Sequence, residues 1–62
     1  MLTPRELEVL RLASDGKSAW ITSQLLSISE RTVKAHLERI YEKLGVASKT
    51  QAILKAHETG LI

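Results

Sequence analysis

The 62 residues include no cysteine and no phenylalanine, and only one tryptophan and one tyrosine. Without cysteine there is no disulfide framework and no thiolate metal site, and a reducing compartment is the expected setting. Interleaved aromatics, on which single-stranded nucleic acid stacks, are missing. No apolar run approaches the ~20 residues of a membrane span and no signal peptide opens the chain, so no membrane contact is expected. A chain this short makes one domain, residues 1–62. Such a domain buries only about 60% of its unfolded surface, so its core must be small. A catalytic constellation needs a nucleophile, an oriented base and a pocket, for which there is little room; no enzyme is expected. His36 and His57 fall on different predicted helices with no suitable carboxylate spacing, so neither a metal nor another cofactor is expected.

The formal charge of +2 says little, but its distribution is uneven. Residues 1–28 balance Arg5, Arg11 and Lys17 against Glu6, Glu8 and Asp15, and residues 50–62 balance Lys55 against Glu58. The excess lies in residues 29–49, where Arg31, Lys34, Arg39, Lys43 and Lys49 face Glu30, Glu38 and Glu42. A local basic excess suits a polyanion-binding face, although charged helix faces are commonly just solvated.

Caps and periodicity predict four helices, near residues 4–15, 19–26, 30–44 and 49–59, and an all-α, four-helix bundle-like class. Thr3-Pro4-Arg5-Glu6 is a capping box with proline at the first helical position. Val9, Leu10 and Ala13 share one face of that helix, and Asp15-Gly16 ends it. Ser18 caps the short second helix, and Ser27-Ile28 leads tightly to Ser29, which caps the third. On the third, Val33, Leu37, Ile40 and Leu44 recur at helical spacing within about 60° of one another, an apolar stripe closed by Gly45. Ser48 opens a fourth helix with Ala52, Ile53 and Ala56 inward, and Leu61-Ile62 reads as an apolar latch.

Opposite the stripe of the third helix stand Arg31, Lys34, Ala35, Glu38 and Glu42, flanked by Thr32, His36, Arg39 and Lys43. A helix entered through a short helix and a three-residue turn is the arrangement that lies in a DNA major groove. Lys34 can donate to guanine O6 and N7, Glu38 can accept from a cytosine amino group, and Ala35 can touch a thymine methyl. Arg31, Thr32, Arg39 and Lys43 can hold phosphates, as can the helix starts at Ser18, Ser29 and Ser48 with Lys17 and Lys49 beside them. Glu42 lies far along the helix and reads as solvated, Tyr41 as closing the core edge, and His57 as a surface residue.

Leu2-Thr3-Pro4-Arg5-Glu6 with Val9-Leu10, Ile28 through His36, Lys43-Leu44-Gly45-Val46, Ser48 through Ala52 and Gly60-Leu61-Ile62 occur in one order and spacing. Together they resemble the LuxR-type (GerE/FixJ/NarL) helix-turn-helix domain over essentially the whole chain. The resemblance implies double-stranded DNA as partner in bacterial transcription regulation, a cytoplasmic place at the nucleoid, and a dimer on an inverted repeat. It also implies an N-terminal receiver or ligand-sensing domain in a longer protein, and RNA polymerase as a further partner. In that family the positions of Lys34 and Ala35 commonly face bases, and that of Glu38 can. Those of Thr32, His36, Lys43, Ser48 and Lys49 lie near the DNA backbone or support it. Dimerisation through the fourth helix makes Leu54, with Gln51, Lys55 and Glu58 around it, the expected interface.

The departures from the family gather in helix two, where Ile21, Thr22 and Ser23 replace an acidic residue, Ile and Ala. Two orientations are open. Either Ile21, Leu25 and Ile28 turn inward, or Ala19, Thr22, Ser23 and Leu26 do. The second would leave Ile21 and Leu25, with Trp20, as an exposed patch for a partner. Trp20 reads first as core or rim packing. Two rival identities remain. One is the last region of a sigma factor, opposed by the Gly45–Ala52 segment and the fourth helix. The other is an interaction module that has given up DNA.

Overall fold

The computed structural model describes residues 1–62, folded as α1 (Pro4–Ser14), α2 (Ala19–Leu26), α3 (Glu30–Leu44) and α4 (Lys49–Glu58). Two helices stop one residue before their expected ends. Asp15 (φ −82°, ψ 6°) and Thr59 (φ −94°, ψ 0°) cap rather than continue them, and Gly16 and Gly60 then carry the chain away at φ 83° and 76°. Every helix begins on a hydroxyl. Thr3 Oγ1 accepts the Glu6 amide at 3.1 Å while the Thr3 amide donates to Glu6 Oε1 at 2.9 Å. Ser18, Ser29 and Ser48 accept the amides of Ile21, Thr32 and Gln51. Caps of this kind contribute about 1 kcal/mol each, a large fraction of the stability available to so short a chain.

α3 runs through the middle. Val33, Leu37 and Ile40 are buried, and α1, α2 and α4 all pack on it. The core is completed by Val9 and Leu10 of α1 and by Ala52 and Ala56 of α4. Because the buried positions of α4 are both alanine, its backbone can come close to its neighbours, with half-buried Ile53 beside them and the larger side chains of α1 and α3 filling the space. Leu61 and Ile62 fold back as expected: the Leu61 amide donates to the Ala56 carbonyl at 2.8 Å, and both side chains lie against the core.

α2 takes the orientation with small residues inward. Thr22 and Ser23 are buried, Ala19 and Leu26 half-buried, and Ile21 and Leu25 exposed. The Ser23 hydroxyl donates to the Trp20 carbonyl, so a buried hydroxyl is satisfied within its own helix. Trp20, expected as core or rim packing, is not in the core: the residue is 59% exposed. With Ala19, Thr22 and Ser23 filling the inward side of the first turns, the indole is left on the outward side.

The α2–α3 turn hinges on Ser27, which sits at φ 56°, ψ 42°, the only non-glycine residue at positive φ. Its conformation lets the Ile28 amide reach the Ser23 carbonyl at 3.1 Å and delivers Ser29 to its capping position. A side chain in this region costs about 1–2 kcal/mol, partly offset by glycine's greater freedom when unfolded. Ser27→Gly is therefore expected to stabilise the fold by about 0.5–1 kcal/mol, read as a rise of a few degrees in thermal melting followed by circular dichroism. A fall in Tm would show that the turn is not strained at this residue.

Candidate nucleic-acid interface

The surface carries no pocket; what it presents is the outer face of α3. Arg31, Thr32, Lys34, Glu38 and Arg39 are exposed along it, with Ala35 and His36 half-buried between them. Packing of the opposite stripe fixes this orientation. Small Ala35 leaves a low point between Lys34 and Glu38, where a second surface can approach the helix backbone. The three helix starts at Ser18, Ser29 and Ser48 are each hydroxyl-capped, with Ser18 and Ser29 exposed and Ser48 half-buried.

The cations of this region are not equally free. Lys34 Nζ lies 3.5 Å from Glu30 Oε2, both side chains open to solvent. Lys43 Nζ donates to Glu6 Oε1 at 2.7 Å. Arg31 and Arg39 take part in no ion pair. Lys49 Nζ reaches the Lys17 carbonyl at 3.4 Å, linking the start of α4 to the α1–α2 connection.

Glu6 is the residue whose importance sequence reasoning understated. It was legible as half of a capping box, yet it is 3% exposed and is also the anchor for Lys43. The lysine's hydrogen bond holds the carboxyl below its ordinary value, assisted by the Thr3 amide, while burial opposes the shift. Lys43, expected beside the DNA backbone, is thus held by α1 and ties the C-terminal half of α3 in place. No periodic pattern joins residues 37 positions apart, so only the fold brings this pair together.

Three other side chains acquire local roles. His36 Nδ1 is buried without a hydrogen-bond partner. Burial raises the Tyr41 phenol above its ordinary value, and the Glu38 carboxylate adds to the effect. Gln51 Oε1 accepts the Ala47 amide at 2.9 Å, so this expected interface residue also braces the start of α4. Leu54 is 60% exposed, and Lys55 and Glu58 are exposed with it.

A short helix, a three-residue turn and a second helix held by its apolar back define a helix-turn-helix protein. The family model described as bacterial regulatory proteins, luxR family, matches residues 1–56. The quorum sensing-dependent transcriptional regulator RpaR of Rhodopseudomonas palustris is 52% identical over 61 residues, covering 98% of this chain and 25% of that protein. Among solved structures, the response regulator ChrA of a heme-sensing two-component system superimposes with a TM-score of 0.96 at 45% identity, covering 100% of this chain and 31% of its own. The transcription factor GerE does so with 0.91 at 40% identity, covering 97% of this chain and 90% of its own. The chain belongs to the LuxR family of bacterial regulatory proteins. It spans about a quarter of the length of the curated relatives it matches.

Because the folded Glu6 carboxyl titrates below its ordinary value of 4.5, its contribution to stability is complete above that pH and is lost as pH falls through the lowered value. Glu6→Gln should cost about 1–2 kcal/mol at neutral pH and flatten the acid limb of the stability profile. Lys43→Met should cost at least as much, about 1–2 kcal/mol, because it leaves the little-exposed Glu6 carboxylate with the Thr3 amide as its remaining partner. Urea titrations of both variants between pH 3 and 7 check this, and an unchanged acid limb in Glu6→Gln would remove the pair from the account.

Proposed function

We propose that this domain binds double-stranded DNA sequence-specifically, with α3 in the major groove and two copies on an inverted repeat. The observation that carries the proposal is the outer face of α3, where Lys34, Ala35 and Glu38 lie between arginines free of any ion pair. Arg31 and Arg39, with Thr32, His36 and the helix starts at Ser18, Ser29 and Ser48, hold phosphates and fix the register. Lys17, Lys49 and the partly exposed Lys43 extend that contact along the backbone. Lys34, Ala35 and Glu38 meet base edges, as donor, apolar contact and acceptor. Leu54, with Lys55, Glu58 and Gln51, forms the α4 contact between copies, and two-fold symmetry of the protein demands two-fold symmetry of the site. The relatives' greater length supports a further receiver or ligand-sensing domain in the complete regulator, acting in the cytoplasm at the nucleoid.

A second reading is favoured by one feature: Trp20, Ile21 and Leu25 stand exposed together on α2, an apolar surface suited to RNA polymerase or to another domain. A domain working only through that patch would bind its partner almost independently of salt, whereas DNA binding weakens with a log–log slope near −0.9 per neutralised phosphate.

Selection from a random duplex pool should recover a short inverted repeat. Lys34→Ala should bind it about 1–3 kcal/mol more weakly by fluorescence anisotropy, the range of one good base contact. Unchanged affinity and site preference in that variant would take α3 out of the groove. Leu54→Glu should weaken binding to the full repeat about tenfold while sparing a single half-site, on the scale of a lost interface anchor; equal effects on both duplexes would place the dimer contact elsewhere.

A further inference from the structure

We infer that Glu30 determines specificity through Lys34, restraining the lysine to the base-facing stripe and withholding it from phosphates. The inference rests on the reading that α3 occupies the major groove. Glu30 is the first residue of α3 and Lys34 lies one turn further on, with Nζ 3.5 Å from Glu30 Oε2. Two carboxylates stand four residues from Lys34, at Glu30 and Glu38, and the lysine pairs with the first. That choice follows electrostatics. A glutamate N-terminal to its lysine is the better order on a helix, and its charge is favourable beside the helix N-terminus. Glu30 is therefore a fixed partner in the first turn, and Lys34 the one cation on the presented face that has one. Arg31 and Arg39 beside it have none.

The consequence differs between the two modes of DNA binding. An ammonium has three donors. Over a guanine edge, Lys34 can keep one on Glu30 and give the others to O6 and N7, so the ion pair survives in the specific complex. To reach a phosphate at the groove rim, the side chain must swing off the stripe and give up its contact with Glu30. Glu30 thus weakens non-specific binding more than specific binding. The gain is in the ratio of the two affinities, which decides occupancy among many competing sites.

The test compares the wild-type chain, Glu30→Gln and Glu30→Asp on the inverted-repeat duplex recovered by selection and on a scrambled duplex of the same composition, by anisotropy across a salt series. Glu30→Gln should bind the scrambled duplex about two- to fivefold more tightly, with its salt slope steeper by about 0.9 as Lys34 joins the phosphate contacts. Affinity for the selected duplex should change less than twofold, so the specificity ratio falls. Glu30→Asp keeps the charge but is one methylene too short to hold Nζ, and should behave as Glu30→Gln. In a Lys34→Met background the effect of Glu30→Gln on the scrambled duplex should vanish, which isolates the pair from the charge alone. Thermal melts should fall by no more than a few degrees, because exposed pairs of this kind and one charge at a helix N-terminus add little to stability.

Wild-type behaviour by Glu30→Asp would assign the effect to the charge and overturn the inference. So would equal tightening on both duplexes, or no change in Glu30→Gln. A folded wild type that binds neither duplex would instead remove the groove reading on which the inference rests.

Discussion

The fold depends on one packing constraint: the apolar stripe of α3 is the surface on which every other helix is assembled. Val33, Leu37 and Ile40 are buried against α1 and α4, and α2 packs on the same helix. A chain of this size cannot build a second core, so the helix at the centre of the molecule carries the core on one side and leaves its far side open. That shared use explains the rigid setting of the outer face. Any rotation of α3 that moved Lys34 would also unpack Val33 and Leu37, its neighbours one and three residues away.

The charge pattern of α3 makes sense against this background. A helix with an unbroken basic face would bind any duplex. Here Glu30, Glu38 and Glu42 interrupt the basic side chains, and two of the lysines are engaged within the molecule, Lys34 on its own helix and Lys43 across to α1. The remaining free positive charge is concentrated in two arginines, whose planar, multi-donor heads suit phosphate contacts. The modest net charge is therefore compatible with DNA binding.

Much of this was legible in the sequence, and the exceptions have physical causes. The caps at Thr3, Ser18, Ser29 and Ser48 and the stripe of α3 were readable because they are local, set by spacings of three, four and seven residues. α2 was ambiguous because its largest apolar side chains, Trp20, Ile21 and Leu25, point outward while Thr22 and Ser23 point in. Hydrophobicity alone cannot rank those orientations when small residues allow a close approach to α3. The Glu6–Lys43 contact was not legible because no periodic pattern joins residues 37 positions apart, and Gln51 was read for its outward place rather than for its bond to the Ala47 amide. The Glu30–Lys34 contact, by contrast, had a visible signal in its four-residue spacing.

The Glu6–Lys43 contact also bears on the time course of folding. Helix turns and caps form locally and fast, but these two residues are 37 positions apart in sequence and meet only once α1 has docked against α3. An interaction absent from the transition state slows unfolding without speeding folding. A pair that forms only on that docking holds α3 in place once the domain has closed around it.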